Sequence, residues 1–231
     1  MSVKELHDSV LKLLHDKVTL KQDVLALTKK WFNVLNEVIA TEVSSLKLGL
    51  RDPRIRMEFA CKSEYETRVM IGSDALIFHL HTNIFTIPEE NPLWKDTYVK
   101  KDFSRGYFGV IYVYNFSAQS ILQNRIGDEG GLLARIYINK ENHFVVEGVQ
   151  QVALRFPKIA KNILTKDVFV EMLHLLFLGA VSNDLIIPPY DAVSGINVDQ
   201  LNELSENLGI RTNKTLGFRS SSATEGEEEY V

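Results

Sequence analysis

Between residues 54 and 150 apolar and polar side chains alternate with a period of two, broken at short intervals by turn-forming residues. Successive side chains on a strand point to opposite faces, so this pattern describes pleated ribbon and not a long amphipathic helix. Ile55, Met57, Phe59 and Cys61 alternate with Arg54, Arg56, Glu58 and Lys62. Residues 67–71 read as the hairpin partner of that run, with the turn near Ser63-Glu64-Tyr65. Gly72-Ser73-Asp74 marks the next turn, and residues 75–87 read as one long strand. Residues 107–116 are filled with aromatic and β-branched side chains on both faces, as in a central strand covered on both sides. Residues 132–138 and 144–149 form a hairpin joined by Asn139-Lys140-Glu141-Asn142. Strands separated by turns, and not by helices, predict an antiparallel meander.

Helical spacing flanks the ribbon on both sides. Val3, Leu6, Val10, Leu13 and Leu14 make one apolar stripe; Val24, Leu27, Trp31, Val34, Leu35, Val38 and Ile39 make a second, running to about Leu46. Thr19-Leu20-Lys21-Gln22 has the form of a capping box. With a joint at Lys17–Val18 it predicts a helical hairpin. After the ribbon, Thr165 is placed to cap a helix in which Val168, Phe169, Met172, Leu173, Leu175, Leu176 and Phe177 are apolar nearly all round. Pro188-Pro189 is a stop, and Asn197 opens a last helix with Leu201, Leu204 and Leu208 on one face and Gly209 at its end. The expected fold is therefore α+β: an antiparallel sheet of hairpins flanked by an N-terminal helical hairpin and C-terminal helices. It occupies one domain over residues 1–218, followed by a disordered acidic tail over residues 219–231.

The net charge is −4, and the tail supplies most of it, with Glu225, Glu227, Glu228 and Glu229 set against Arg219. The body is close to neutral and has no basic footprint, so no nucleic-acid partner is expected. Lys100, Lys101 and Arg105 are interleaved with Asp96 and Asp102 and read as a solvated loop. The single cysteine, Cys61, has no intrachain partner and reads as a small buried hydrophobe. No apolar run is long enough for a membrane span, and the charged N-terminus lacks the form of a secretory signal. The expectation is a cytoplasmic protein with no membrane partner.

Two groups of side chains bear on chemistry. His79 and His81 are two apart on one strand face and would share a metal if a third ligand joined them; the plainer reading is a polar strand face. Tyr112, Tyr114, Arg135, Tyr137, Glu147 and Gln150 alternate onto one side of the later strands and would line a polar ligand pocket; a satisfied internal network is the competing reading. The glycine cluster at residues 127–131 lacks the Lys and Ser/Thr of a P-loop, and neither a dinucleotide fingerprint nor a nucleophile elbow is present. No motif names a cofactor. Two functions follow as expectations: a non-catalytic protein that binds a protein partner or small ligand and is itself a possible homo-oligomer, or a metal-dependent hydrolase using His79 and His81.

Overall fold

A computed structural model describes residues 1–148 and 150–183. Helix α1 (Val3–Leu13) runs through a π-turn (Leu14–Val18) directly into helix α2 (Thr19–Gly49). The expected helical hairpin is thus one long helix. Nothing between Leu13 and Thr19 forces a break: no Gly or Pro intervenes, and Leu13, Leu14 and Thr19 all keep helical angles. The capping box sits at the true start, where Ser2 and Glu5 satisfy each other's amides. Thr19 does not cap; its hydroxyl lies 3.4 Å from the Leu14 carbonyl, inside the helix.

The ribbon folds into one antiparallel sheet. Its strands are β1 (Met57–Ser63), β2 (Glu66–Ile71), β3 (Asp74–Leu80), β4 (Phe85–Thr86), β5 (Tyr107–Ser117), β6 (Gly131–Asn139) and β7 (Phe144–Gly148). The order is β1-β2-β3-β5-β6-β7, with β4 also pairing to β5. Gly72 supplies the left-handed φ of +58° that the β2–β3 turn requires. The long strand expected over residues 75–87 is interrupted after Leu80. There the His81 ring accepts the Asn83 amide hydrogen at 3.0 Å and the chain bends before β4 rejoins β5.

One face of the sheet is the core. Val69, Leu76, Phe78, Leu80, Ile111, Val113, Ile136, Ile138 and Val146 meet Phe32, Leu35 and Ile39 of α2. Helix α6 (Lys166–Val181), capped by Thr165 as its sequence predicts, adds Phe169, Met172, Leu173 and Leu176 to the same layer. Burial of such side chains is the main favourable term in the fold. Two short helices, α3 (Thr97–Lys100) and α4 (Ala118–Leu122), lie in the connections before and after β5, and α5 (Gln150–Arg155) follows β7. Cys61 is exposed, against expectation, because β1 is the sheet edge and only Met57 of that strand is buried. The Pro188-Pro189 stop, the helix from Asn197, the domain limit at 218 and the tail all lie outside the described residues.

Gly109 of β5 is where helix and sheet come closest. A methyl group there would stand 2.0 Å from the Thr28 hydroxyl oxygen and 2.7 Å from its Cβ. Thr28 cannot retreat; it is fully buried and bonds the Val24 carbonyl at 2.7 Å. Gly109→Ala should therefore lower stability by about 1–3 kcal/mol in denaturant unfolding. Gly49→Ala, with open space around it, should change stability by no more than about 0.5 kcal/mol. Equal effects at the two sites would show that α2 does not rest on β5.

Candidate functional site

Among the described residues, the second face of the sheet is covered at its two ends. At one end Val99 and Ile159 pack with Phe108, and Leu93, Trp94, Tyr98, Tyr137 and Val145 pack against that cluster. At the other the loop after α4 lies on Phe116: a methyl at Gly130 would stand 2.5 Å from that ring. Between these covers a central strip is left open. Strand β5 presents Tyr112 and Tyr114 there, both half-buried. The expectation of a strand covered on both sides is met on the α2 face; on the other face the described residues leave Tyr112 and Tyr114 half-buried.

Cross-strand pairing sets what flanks the tyrosines. Tyr112 lies opposite His79 of β3 on one side and Arg135 of β6 on the other. Arg135 in turn lies opposite Glu147 of β7, and His79 opposite Glu66 of β2. Residues directly opposite in an antiparallel pair share a face. The imidazole group and the tyrosine–guanidinium group, separate in the sequence, thus stand on one surface. The rings of Tyr112 and Tyr114 are parallel to within 8° with centroids 5.9 Å apart. His81 lies 6.0 Å from Tyr112 and 4.8 Å from Phe85, so the row Phe85–His81–Tyr112–Tyr114 forms an aromatic ridge along the strip.

The charges on this face are balanced in pairs. Arg135 meets Glu147 at 2.5 Å, and the Tyr137 hydroxyl donates to the same carboxylate at 2.8 Å. Arg68 and Glu66 of β2 pair at 2.5 Å on the same side. Burial and the bond to Glu147 hold the Tyr137 phenol well above its ordinary range, and burial, reinforced by Tyr112, raises Tyr114. Tyr114 is therefore a neutral hydroxyl at physiological pH. Neither the Tyr112 nor the Tyr114 hydroxyl makes a hydrogen bond among the described residues. Gln150 opens α5, but its side chain lies outside the described residues.

Among the described residues no group of three His, Cys, Asp or Glu is placed to hold an ion. His81 already uses Nδ1 as an acceptor from Asn83. A neutral ring in that arrangement carries its proton on Nε2, which removes that nitrogen as a ligand. A separate recess of about 420 Å³, lined in part by Arg54, Arg56, Ser117 and Arg125, does not include any of the sequence-selected residues. Among the described residues no helix is long and apolar enough to cross a membrane.

One polar cluster escaped the sequence reading. Arg105 and Asp102, expected in a solvated loop, are anchored to the β6–β7 turn. Arg105 Nε donates to Glu141 at 3.1 Å and its guanidinium sits 4.3 Å from the Tyr98 ring. Lys140 Nζ meets Asp102 at 2.6 Å, and the Tyr98 hydroxyl donates to Glu141 at 2.8 Å. Burial pushes Tyr98 up to about 12. This clamp fastens the covering segment to the sheet and so fixes one border of the open strip. No spacing rule links residues 98–105 to residues 139–143, and only the interleaved charges marked the segment.

Comparison with known protein families, with curated proteins and with solved structures gives no match for this chain.

The donors Lys140 and Ser104 hold the Asp102 carboxyl well below the usual carboxylate range. A depressed folded pKa stabilises above the unfolded value near 4 and the gain is lost as pH falls through the folded pKa. Lys140→Met should therefore cost stability at neutral pH, by less than about 1 kcal/mol for so exposed a pair. Its difference from wild type should shrink steadily as pH drops below about 4. Urea unfolding at several pH values measures this; a pH-independent difference would mean that lost packing, not the ion pair, is responsible.

Proposed function

We propose that this is a non-catalytic binding protein whose ligand docks on the open strip of the sheet. The observation that carries the reading is the aromatic ridge itself. Tyr112 and Tyr114 stand half-buried side by side on a rigid central strand, with hydroxyls that no described residue satisfies. Natural surfaces rarely expose such rings in a row without using them. Two aromatic faces beside polar groups suit a flat, polar, uncharged ring, either a planar heteroaromatic or a saccharide. Both arginines of the strip are already paired with carboxylates. That balance speaks against a polyanion as the ligand.

The rigidity of the platform supports the same reading. The rings stand on β5, which is hydrogen-bonded on both sides and rests on α2. A site on sheet strands is held more firmly than one on loops, so less ordering is needed on binding. The runner-up, a metal-dependent hydrolase at His79 and His81, has its pair but lacks the third ligand among the described residues.

The test is saturation-transfer NMR with a panel of neutral saccharides and planar heteroaromatics. One class should bind, and Tyr112→Ala should weaken that binding by roughly tenfold or more. Leu122→Ala, away from the ridge and on α4, should leave it unchanged. Binding untouched by Tyr112→Ala and Tyr114→Ala would sink the proposal, as would silence across the panel. Zinc or manganese bound stoichiometrically, and lost in His79→Ala/His81→Ala, would transfer support to the hydrolase.

A further inference from the structure

We infer that the free edge of β1 pairs with β1 of a second copy of this chain, antiparallel and centred on Ala60. The inference rests on strand β1 alone and does not depend on what binds the open strip.

Among the described residues β1 has a neighbour, β2, on one side only. The Gly72 amide donates to the Arg56 carbonyl at 2.8 Å, and the same pairing continues with Glu58 opposite Met70 and Ala60 opposite Arg68. Backbone groups alternate sides along a strand, so Arg56, Glu58 and Ala60 spend theirs on β2. Met57, Phe59 and Cys61 aim theirs at the open edge. An unpaired row of this kind is a template for another strand.

The side chains say which strand fits. Arg56, Glu58, Ala60, Lys62 and Glu64 read plus, minus, neutral, plus, minus. Reversed, that order is its own complement. With Ala60 opposite Ala60 of the second copy, Glu58 faces Lys62 of that copy, and the symmetry axis repeats the pair. Glu64 lies beyond this strand and is held by Lys29 of α2 at 3.5 Å, so it takes no part in the pairing. Moving the axis to Glu58 or to Lys62 sets like charges face to face, and like charges directly opposite are unfavourable. The backbone agrees with the same register, because it sets Phe59 opposite Cys61 of the second copy, both with edge-directed amides and carbonyls. It also covers apolar surface: Phe59 is 39 % exposed and Cys61 is exposed as well. The irregularity between Cys61 and Ser63 falls at Lys62, so the paired backbone is a short segment around Ala60 with Lys62 at its end. Opposite charges on an edge normally guard it against indiscriminate pairing; here their order admits one partner, a second β1.

The experiment uses the full chain. Sedimentation velocity over a concentration series should show a monomer–dimer equilibrium. Glu58→Lys should weaken the dimer by roughly tenfold or more, because each copy then sets Lys against Lys62 across the axis. Glu58→Lys/Lys62→Glu should restore it, and circular dichroism on both variants confirms that they fold. Cross-linking tests the register independently. Ala60 forms a non-hydrogen-bonded pair with itself, with Cα atoms about 4.5 Å apart, which is within disulfide reach. Ala60→Cys/Cys61→Ser should therefore give a covalent dimer on mild oxidation. Wild-type Cys61, one step off the axis, should not. A chain that stays monomeric at every concentration overturns the inference. So does a dimer that ignores Glu58→Lys, or one that fails to cross-link through position 60, since either places the contact elsewhere or gives the edge to another occupant.

Discussion

The packing of α2 onto one face of β5 is the constraint from which the rest follows. The helix comes so close that Gly109 is required beneath Thr28, and Phe32, Leu35 and Ile39 fill the space on either side. A helix layer can bury one face of a sheet; the opposite face must then be covered by connections or left open. Here the two long connections around β5 divide that second face. The segment through α3 covers one end and the loop after α4 covers the other. The open strip is what neither reaches. Its contents are fixed by register, since Tyr112 must lie between His79 and Arg135 once β3 and β6 take their places beside β5.

The covering segment buries Val99 against Phe108 and is fastened by polar anchorage as well. Arg105, Glu141, Tyr98, Asp102 and Lys140 join two stretches of chain that are far apart in sequence. Burial alone would disfavour the Glu141 charge, but the Arg105 and Tyr98 donors outweigh it and keep its pKa below the usual value. A network of this kind is worth most when complete, because an unpaired member would be left poorly solvated. It sets a sharp border to the aromatic ridge without occupying it.

Alternation made the strands legible from the sequence, and with them the two faces of β5 and the grouping of Tyr112, Tyr114, Arg135, Tyr137 and Glu147. What alternation does not carry is pairing between distant strands. His79 joins the tyrosines only through the register of β3 against β5, across the 26 residues that separate Leu80 from Tyr107. The N-terminal helix was misjudged for a local reason. Thr19 and Gln22 have capping chemistry, but a cap acts only where the chain leaves the helix, and no residue near Lys17 makes it leave. Cys61 was misjudged for a global one. Its apolar neighbours Met57 and Phe59 form a core-facing row, yet at this edge strand the cover ends after Met57 and leaves Phe59 and Cys61 exposed.

That edge row is informative in its own right. A strand that carries exposed apolar side chains, here Phe59 and Cys61, beside charges spaced in self-complementary order can manage its edge in two ways: repel every neighbour, or accept one. Repulsion calls for charges of one sign, which meet like charges in every register. Strand β1 carries one of each, Glu58 and Lys62, on either side of Ala60; in the proposed pairing the shifted registers would repel and the centred one would attract. In the centred pairing the second faces of the two sheets would become one surface, with an aromatic ridge on either side of the axis. Two ligand platforms on one rigid body would let a repeating or bivalent ligand gain from both at once, because the second contact is then made at high effective concentration.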